Sequence, residues 1–312
     1  MDTKFASMPC DICGSIEKKH IGIPENKLDM KTRINVPFDM YVARCKKCGF
    51  YYTDPMPFWG EGDISKLYDH EYYSQYTEWW KNIKGSVNPN RRLDLIEKLS
   101  KRRISKYLEV GCGEGLCLEQ AVKRGWEVFG QDVSPDLAAM AKQIPGVDIY
   151  VGTLEGAKYP ENHFDAVYLD AVIEHVPQPT KLIREIYRIL RPEGLVYIVC
   201  PNEDSLVKKM KQAVMELLRC RKSAILSPFV NPYHITGFNK RSLRRLAENN
   251  SFKVINMFVG KDYRSFEHKK YVIKDGAGRH IGLIQYIRNC LYFIADLVGL
   301  GTNLEAVLTA IK

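Results

Sequence analysis

The stretch Tyr107-Leu108-Glu109-Val110-Gly111-Cys112-Gly113-Glu114-Gly115 decides how the rest of the chain is read. Four residues of buried-strand character run directly into three glycines at alternate positions, and Leu116–Arg124 behind them has the pattern of a helix. Strand, glycine turn and helix together make a nucleotide-site arrangement. The glycines let backbone approach a ligand closely, and the free N–H groups of the helix start point at it. A dinucleotide fingerprint would need glycine at 116, where this chain has Leu116. Glu109, two residues before the first glycine, suits a cationic ligand group such as an amino-acid ammonium and suits a pyrophosphate badly. Asp132, ending Phe129-Gly130-Gln131-Asp132, lies about 20 residues beyond the turn, where a carboxylate accepts hydrogen bonds from ribose hydroxyls. Turn and acids together describe a nucleoside site.

Outward from the turn, strand and helix signals alternate. Strands are expected at Tyr107–Val110, Glu127–Gly130, Asp148–Val151, Ala166–Leu169 and Leu195–Val199, with later ones at Lys253–Val259 and Leu304–Ala310. Helices are expected from Arg91 to the basic run Lys101-Arg102-Arg103, at Pro135–Gln143 behind a Ser134 cap, and at Lys181–Leu190, closed by Pro192 and Gly194. Basic helices follow at Ser205–Arg221 and Ser242–Glu248. Short apolar runs separated by helices of about ten residues indicate an α/β fold, a doubly wound and mainly parallel seven-stranded sheet.

These motifs resemble the class I S-adenosylmethionine-dependent methyltransferases over about residues 91–260. Besides the turn and Asp132, the resemblance rests on Phe164-Asp165-Ala166-Val167, on Asp170-Ala-Val-Ile-Glu174-His175-Val176 and on Leu190-Arg191-Pro192-Glu193-Gly194. The family normally ends that last motif Pro-Gly-Gly, so Glu193 is a departure at a turn. The resemblance implies S-adenosyl-L-methionine as cofactor, with Glu109, Gly111, Gly113 and Gly115 around its methionine part, Asp132 on the ribose, Leu154 beside Thr153 against the adenine, and Asp170 bordering the site. It also implies in-line methyl transfer, in which the protein supplies positioning and, for an oxygen nucleophile, a general base. Candidates for that base are His175, just past the fourth strand, and His234 in Asn-Pro-Tyr233-His234-Ile-Thr-Gly-Phe, with Tyr233 beside it.

Cys10-Asp-Ile-Cys13-Gly and Cys45-Lys-Lys-Cys48-Gly read as two zinc knuckles, because two thiolates three positions apart fit one edge of a tetrahedral site. The 31 residues between the pairs read as a long hairpin within a small zinc ribbon, the Zn2+ being structural. Similar knuckles precede the methyltransferase domain in the deoxysugar C-methyltransferases, which also carry stretches like Tyr51-Tyr52-Thr53-Asp54-Pro55 and Tyr68-Asp-His-Glu-Tyr72-Tyr73. The expected organisation is a zinc module over 1–55, an aromatic-rich connecting segment over 56–90, and a methyltransferase domain over 91–312 with inserts at about 204–240 and 261–300. The aromatics Tyr68, Tyr72, Tyr73, Tyr76, Trp79 and Trp80 form either a lid over the site or a seam between the modules.

With 45% hydrophobic and 27% charged residues, the 312-residue chain is neither disordered nor fibrous. Its N-terminus has no apolar run of a secretory signal, and nine cysteines, an odd number, fit reduced thiols in the cytoplasm. Ile281–Leu300 is apolar but contains Gln285, Arg288, Asn289 and Asp296, which are costly at mid-bilayer depth, so it reads as an amphipathic core-packing or interface helix rather than a span, contact with a membrane surface being the less favoured alternative. Three functions fit. The first is methyl transfer to a small hydroxylated metabolite, for instance a sugar in polysaccharide or secondary metabolism. The second is RNA methylation, the +9 net charge and basic helices binding phosphates, and the third is a non-catalytic zinc-ribbon scaffold. The sequence does not fix the oligomeric state.

Overall fold

A computed structural model describes residues 4–24, 40–68, 89–228, 233–260 and 283–312. The N-terminal part comprises β1 (Lys4–Ala6), β2 (Lys18–Pro24), β3 (Tyr41–Cys45), β4 (Tyr51–Asp54), β5 (Met56–Phe58) and α1 (Glu61–Leu67). The central part runs α2 (Pro89–Leu99), β6 (Lys106–Val110), α3 (Leu116–Lys123), β7 (Glu127–Asp132), α4 (Pro135–Ala141), β8 (Val147–Val151), β9 (Phe164–Asp170), α5 (Pro179–Ile189) and β10 (Leu190–Pro201). The remainder is α6 (Leu206–Leu217), β11 (Lys222–Ser223), β12 (Thr236–Gly237), α7 (Lys240–Asn249), β13 (Phe252–Gly260), α8 (Leu283–Leu297) and β14 (Asn303–Ala310).

The main sheet has seven strands in the order β13-β14-β10-β9-β6-β7-β8, and only β14 runs against its neighbours. The order reverses next to β6, so the crevice outside the carboxyl ends of β6 and β9 is where such a sheet binds its ligand. Strands buried on both faces explain why these segments read as continuous apolar runs: in β9, Phe164, Ala166, Val167, Tyr168 and Leu169 are all fully buried. Phe164, Val167 and Leu169 pack into the core shared with α5 and α7, whereas Ala166 and Tyr168 pack against α2 and α3. Asp165 ties the base of the sheet together: it accepts from the backbone N–H of Ser105 and Lys106, both at 2.9 Å, and pairs with Arg191.

Two expected boundaries are corrected. Pro192 and Gly194 do not close the helix α5. The chain passes from Ile189 straight into β10, which is far longer than Leu195–Val199, and the two residues lie in a bulge where the pairing with β9 shifts between Leu190 and Leu195. The helix expected to reach Arg221 stops at Leu217, and Arg219 just beyond it takes a left-handed φ of 52°. Ser134 caps α4 as expected, accepting from the Leu137 N–H.

A second, five-stranded sheet has the order β11-β2-β3-β4-β12. Its outer strands come from residues 222–223 and 236–237, so the cysteine-bearing hairpin is completed by chain that follows β10. The long connection over 25–39 lies outside the described residues, as do Tyr72, Tyr73, Tyr76, Trp79 and Trp80 of the aromatic segment and residues 261–282.

Candidate active site

The turn after β6 has the backbone its glycines predict. Gly111, Gly113 and Gly115 all have positive φ, between 54° and 86°. At Gly111 a Cβ would stand 2.4 Å from Cγ2 of Val172, so only glycine fits; at Gly113 it would meet nothing within 4 Å, which leaves room for a ligand against the backbone. Asp132, at the carboxyl end of β7, closes the turn: Oδ2 accepts from the Gly113 N–H at 2.8 Å and Oδ1 from the Ser134 N–H at 2.8 Å. Burial raises its pKa, and those backbone donors work in the opposite direction. Each carboxylate oxygen still has a lone pair for a hydroxyl donor.

Glu109 is 6% exposed, and its Oε2 has no hydrogen-bond partner among the described residues. Burial first, and the Asp170 carboxylate second, push its pKa well above the ordinary range. A buried, underbonded carboxyl beside an open glycine turn is a costly arrangement unless a cation or hydrogen-bond donor completes it. Leu154 is buried in the loop after β8, whose Gly152 N–H donates to the Asp132 carbonyl at 2.9 Å. Asp170, ending β9, is paired with Arg92 of α2 and accepts from the Tyr168 hydroxyl at 3.1 Å. Arg92 had no signal in the sequence beyond its place on a helix.

His175 and His234 come together from residues 59 positions apart, with ring centroids 5.0 Å apart in an edge-to-face arrangement. His175 sits on a 3-10 turn directly after β9. His234 lies two residues before β12, where the Ile235 N–H donates to the Glu174 carbonyl and the hydroxyl of Thr236 in β12 to the Ile173 carbonyl, both at 3.1 Å. Two further residues complete the cluster. The Tyr68 hydroxyl lies 3.0 Å from Nδ1 of His175, and Glu174 Oε1 lies 3.9 Å from Nε2 of His234. Glu174 is 1% exposed and neither of its carboxyl oxygens has a hydrogen-bond partner among the described residues.

Burial lowers His175 to about 4, against the effect of its hydrogen bond to the Tyr233 backbone. Burial also drives His234 well down, helped by the neighbouring His175. The Glu174 carboxyl is pushed up to about 8, first by burial and then by the charges of Asp170 and Glu203. At neutral pH both imidazoles are therefore unprotonated, the state a general base needs. The Tyr233 side chain is buried against Leu67 with Phe5, Trp59 and Tyr68 around it, and its backbone hydrogen-bonds His175.

Cys10, Cys13, Cys45 and Cys48 form one cluster with all sulfurs within 4.8 Å of one another, the closest approaches being Cys10–Cys48 at 3.5 Å and Cys13–Cys45 at 3.6 Å. Two knuckle turns bring them together, each followed by a glycine of positive φ, Gly14 and Gly49. The knuckles dock on the main domain: the Thr180 N–H at the start of α5 donates to the Asp11 carboxylate at 2.8 Å, and the Asn249 amide of α7 donates to the Ile12 carbonyl at 2.8 Å.

A seven-stranded sheet of this order, with a glycine turn after the central strand and an acid ending the next, is the class I S-adenosylmethionine-dependent methyltransferase fold. The model of a family described as "Methyltransferase domain" matches residues 79–256, more than half of the chain, and the chain belongs to that family. It is similar to the ubiquinone biosynthesis O-methyltransferase of Xanthomonas oryzae pv. oryzae, 34% identical over 123 residues that make up 38% of this chain and 51% of that protein. The protein of the same name from Pseudomonas entomophila is 32% identical over 38% of this chain and 53% of its own length. The chain thus spans about half the length of the curated relatives it matches. The crystal structure of a SAM-dependent methyltransferase from Archaeoglobus fulgidus shares the fold at a TM-score of 0.50 and 16% identity, over 75% of this chain and 99% of that one.

Proposed function

We propose that this protein transfers a methyl group from S-adenosylmethionine to the hydroxyl of a small metabolite. The observation that carries the reading is Glu109, a buried carboxyl with a vacant hydrogen-bonding position beside the open backbone of Gly113. The ammonium of the cofactor's methionine part supplies the cation that this carboxyl requires, and Asp132 offers its remaining lone pairs to the ribose hydroxyls. Leu154 provides an apolar wall for the adenine, and Asp170, held by Arg92, borders the crevice. The bound sulfonium brings an already activated methyl group, so the protein's task is orientation and removal of the acceptor's proton.

His175 and His234 are the groups suited to take that proton, since both are neutral and face each other at the same edge of the sheet as the glycine turn. Tyr68 fixes the ring of His175 through Nδ1. Glu174, once ionised, stabilises a proton gained by His234 across 3.9 Å. A small hydroxylated acceptor is supported by the names of the similar ubiquinone biosynthesis O-methyltransferases. The four cysteines fit a structural Zn2+, because sulfurs at about 2.3 Å from a tetrahedral metal stand about 3.8 Å apart, close to the spacings here.

Titration calorimetry with S-adenosylmethionine tests the central step. Wild-type protein should bind it, and Glu109→Ala should bind at least about tenfold more weakly, a charge-assisted contact being worth 1.5–3 kcal/mol by rough scale. Equal affinities would remove Glu109 from the cofactor site, and no binding by the wild type would remove the whole reading.

A further inference from the structure

Helices α6 and α8 present apolar side chains where soluble proteins seldom do. On α6, Met210, Val214 and Leu217 recur at helical spacing along one line and are exposed, Leu217 to 82%. On α8, Ile294 and Leu297 are likewise exposed, Leu297 to 70%, as is Val298 just beyond its end. The helices lie side by side in opposite directions. The Leu206 N–H at the start of α6 donates to the Leu300 carbonyl just after α8, and Leu291 lines a groove with Val207, Met210, Val214 and Met215. The two stripes therefore form one apolar surface rather than scattered positions.

Charge says what this surface faces. Residues 203–222 contain six basic side chains, at Lys208, Lys209, Lys211, Arg219, Arg221 and Lys222, and three acids, Glu203, Asp204 and Glu216. Lys208 pairs with Glu203 and Lys209 with Asp204, so the basic character of this surface is carried chiefly by the exposed cluster Arg219, Arg221 and Lys222 just beyond the end of α6. A folded partner of this same chain would meet like charge there, since a two-fold contact sets the same basic patch on both sides. An anionic lipid surface satisfies both features at once: apolar side chains enter the headgroup boundary while lysines and arginines stay among the phosphates. No helix among the described residues is long and apolar enough to cross a bilayer, so the contact is with the surface.

We infer that α6 and α8 together dock the protein on the face of an anionic membrane. Four residues separate the end of β10 from the start of α6, on the carboxyl edge of the sheet where the candidate active site lies, so docking holds that edge near the lipid. The inference does not depend on methyl transfer.

Vesicle co-sedimentation of the full chain tests it, with phosphatidylcholine alone and with phosphatidylcholine and phosphatidylglycerol in equal parts. The protein should sediment with the charged vesicles and not with the neutral ones, and added salt should weaken the binding. Arg219→Ala with Arg221→Ala should lower affinity by about tenfold or more, at about fivefold per basic residue near an anionic surface. Leu217→Asp with Leu297→Asp should lower it at least tenfold, while circular dichroism shows both double variants folded. No binding to charged vesicles would overturn the inference. So would wild-type affinity in the Asp variant, or a wild-type dimer by light scattering that the Asp variant converts to monomer without any vesicle binding.

Discussion

The phenolic oxygen of Tyr68 stands 3.0 Å from Nδ1 of His175, joining the segment behind α1 to the turn behind β9. The contact sets which nitrogen of the imidazole faces the acceptor, and a base misaligned by a free ring rotation loses most of its advantage.

Tyr68→Phe keeps the ring and removes only that hydrogen bond. We expect kcat to fall on the order of tenfold to a hundredfold, within the usual range for an acid–base contribution. S-adenosylmethionine affinity should fall much less than kcat, because Asp132 is held in the crevice of the main sheet by the Gly113 and Ser134 N–H groups. A fall in cofactor affinity equal to the fall in kcat would mean that Tyr68 serves the fold and not the base.

Glu174 carries a pH signature. Its carboxyl titrates at about 8 in the folded chain against about 4.5 in the unfolded one, so the folded state binds the proton more tightly. That contribution to stability is fully present below pH 4.5 and is lost as pH rises towards 8. Glu174→Gln removes the titration, whatever fixed offset the amide itself causes. The melting temperature of the variant relative to wild type should therefore climb between pH 5 and pH 8, by the equivalent of a few kcal/mol at most. A constant difference across that range would show that Glu174 is ionised throughout. In turnover, wild-type rate should rise as Glu174 ionises towards pH 8, and the variant should lose that rise.

Glu193 is the departure from Pro-Gly-Gly that the sequence displays, and it takes φ of 61° in the bulge at the start of β10. A left-handed backbone costs a side-chain-bearing residue about 1–2 kcal/mol, partly offset by the greater freedom glycine has when unfolded. Its ion pair with Lys101 is between exposed groups and contributes little. Glu193→Gly should thus stabilise the protein by about 0.5–1 kcal/mol in a urea titration, with activity unaltered. Destabilisation would mean that the Lys101 contact outweighs the backbone strain.

The fold was legible where burial imposes a pattern. β6, β9 and the later part of β10 are covered on both faces and read as apolar runs, while β7 shows only Val128 and Phe129, and Glu109 and Asp132 stand out as acids near strand ends. The second sheet was half legible: the cysteine spacing announced the knuckles, but β11 and β12 are two residues each and carry no periodicity. The site showed the same division. His175 and His234 were visible as polar residues next to strand ends, whereas Tyr68, Glu174 and Arg92 acquire their roles from neighbours distant in sequence: Arg92 meets Asp170 across 78 positions and Tyr68 meets His175 across 107.

The cysteine cluster and the base cluster are mechanically joined, and this gives the zinc reading a second consequence. β3 carries Cys45 at its end and pairs with β4; Tyr51 and Tyr52 of β4 pair with Gly237 and Thr236 of β12; and the Thr53 N–H donates to the Ile235 carbonyl at 3.0 Å, one residue from His234. A metal that fixes the knuckles therefore also fixes the strand that delivers His234. Metal analysis of the purified chain should find one zinc, and Cys45→Ala should lose it. A second metal retained in that variant would point to Glu174, His175 and His234, whose ligand atoms also lie within 4.8 Å of one another. Because Glu109, Gly113 and Asp132 sit in the other sheet, Cys45→Ala should lower kcat by at least about tenfold while S-adenosylmethionine affinity changes less than threefold. Proton abstraction depends on alignment of the imidazole to within fractions of an ångström, whereas Glu109, Gly113 and Asp132 are anchored on β6 and β7 of the main sheet. If the variant stays folded and keeps wild-type kcat, the cysteine cluster is a local clasp with no hold on the active site.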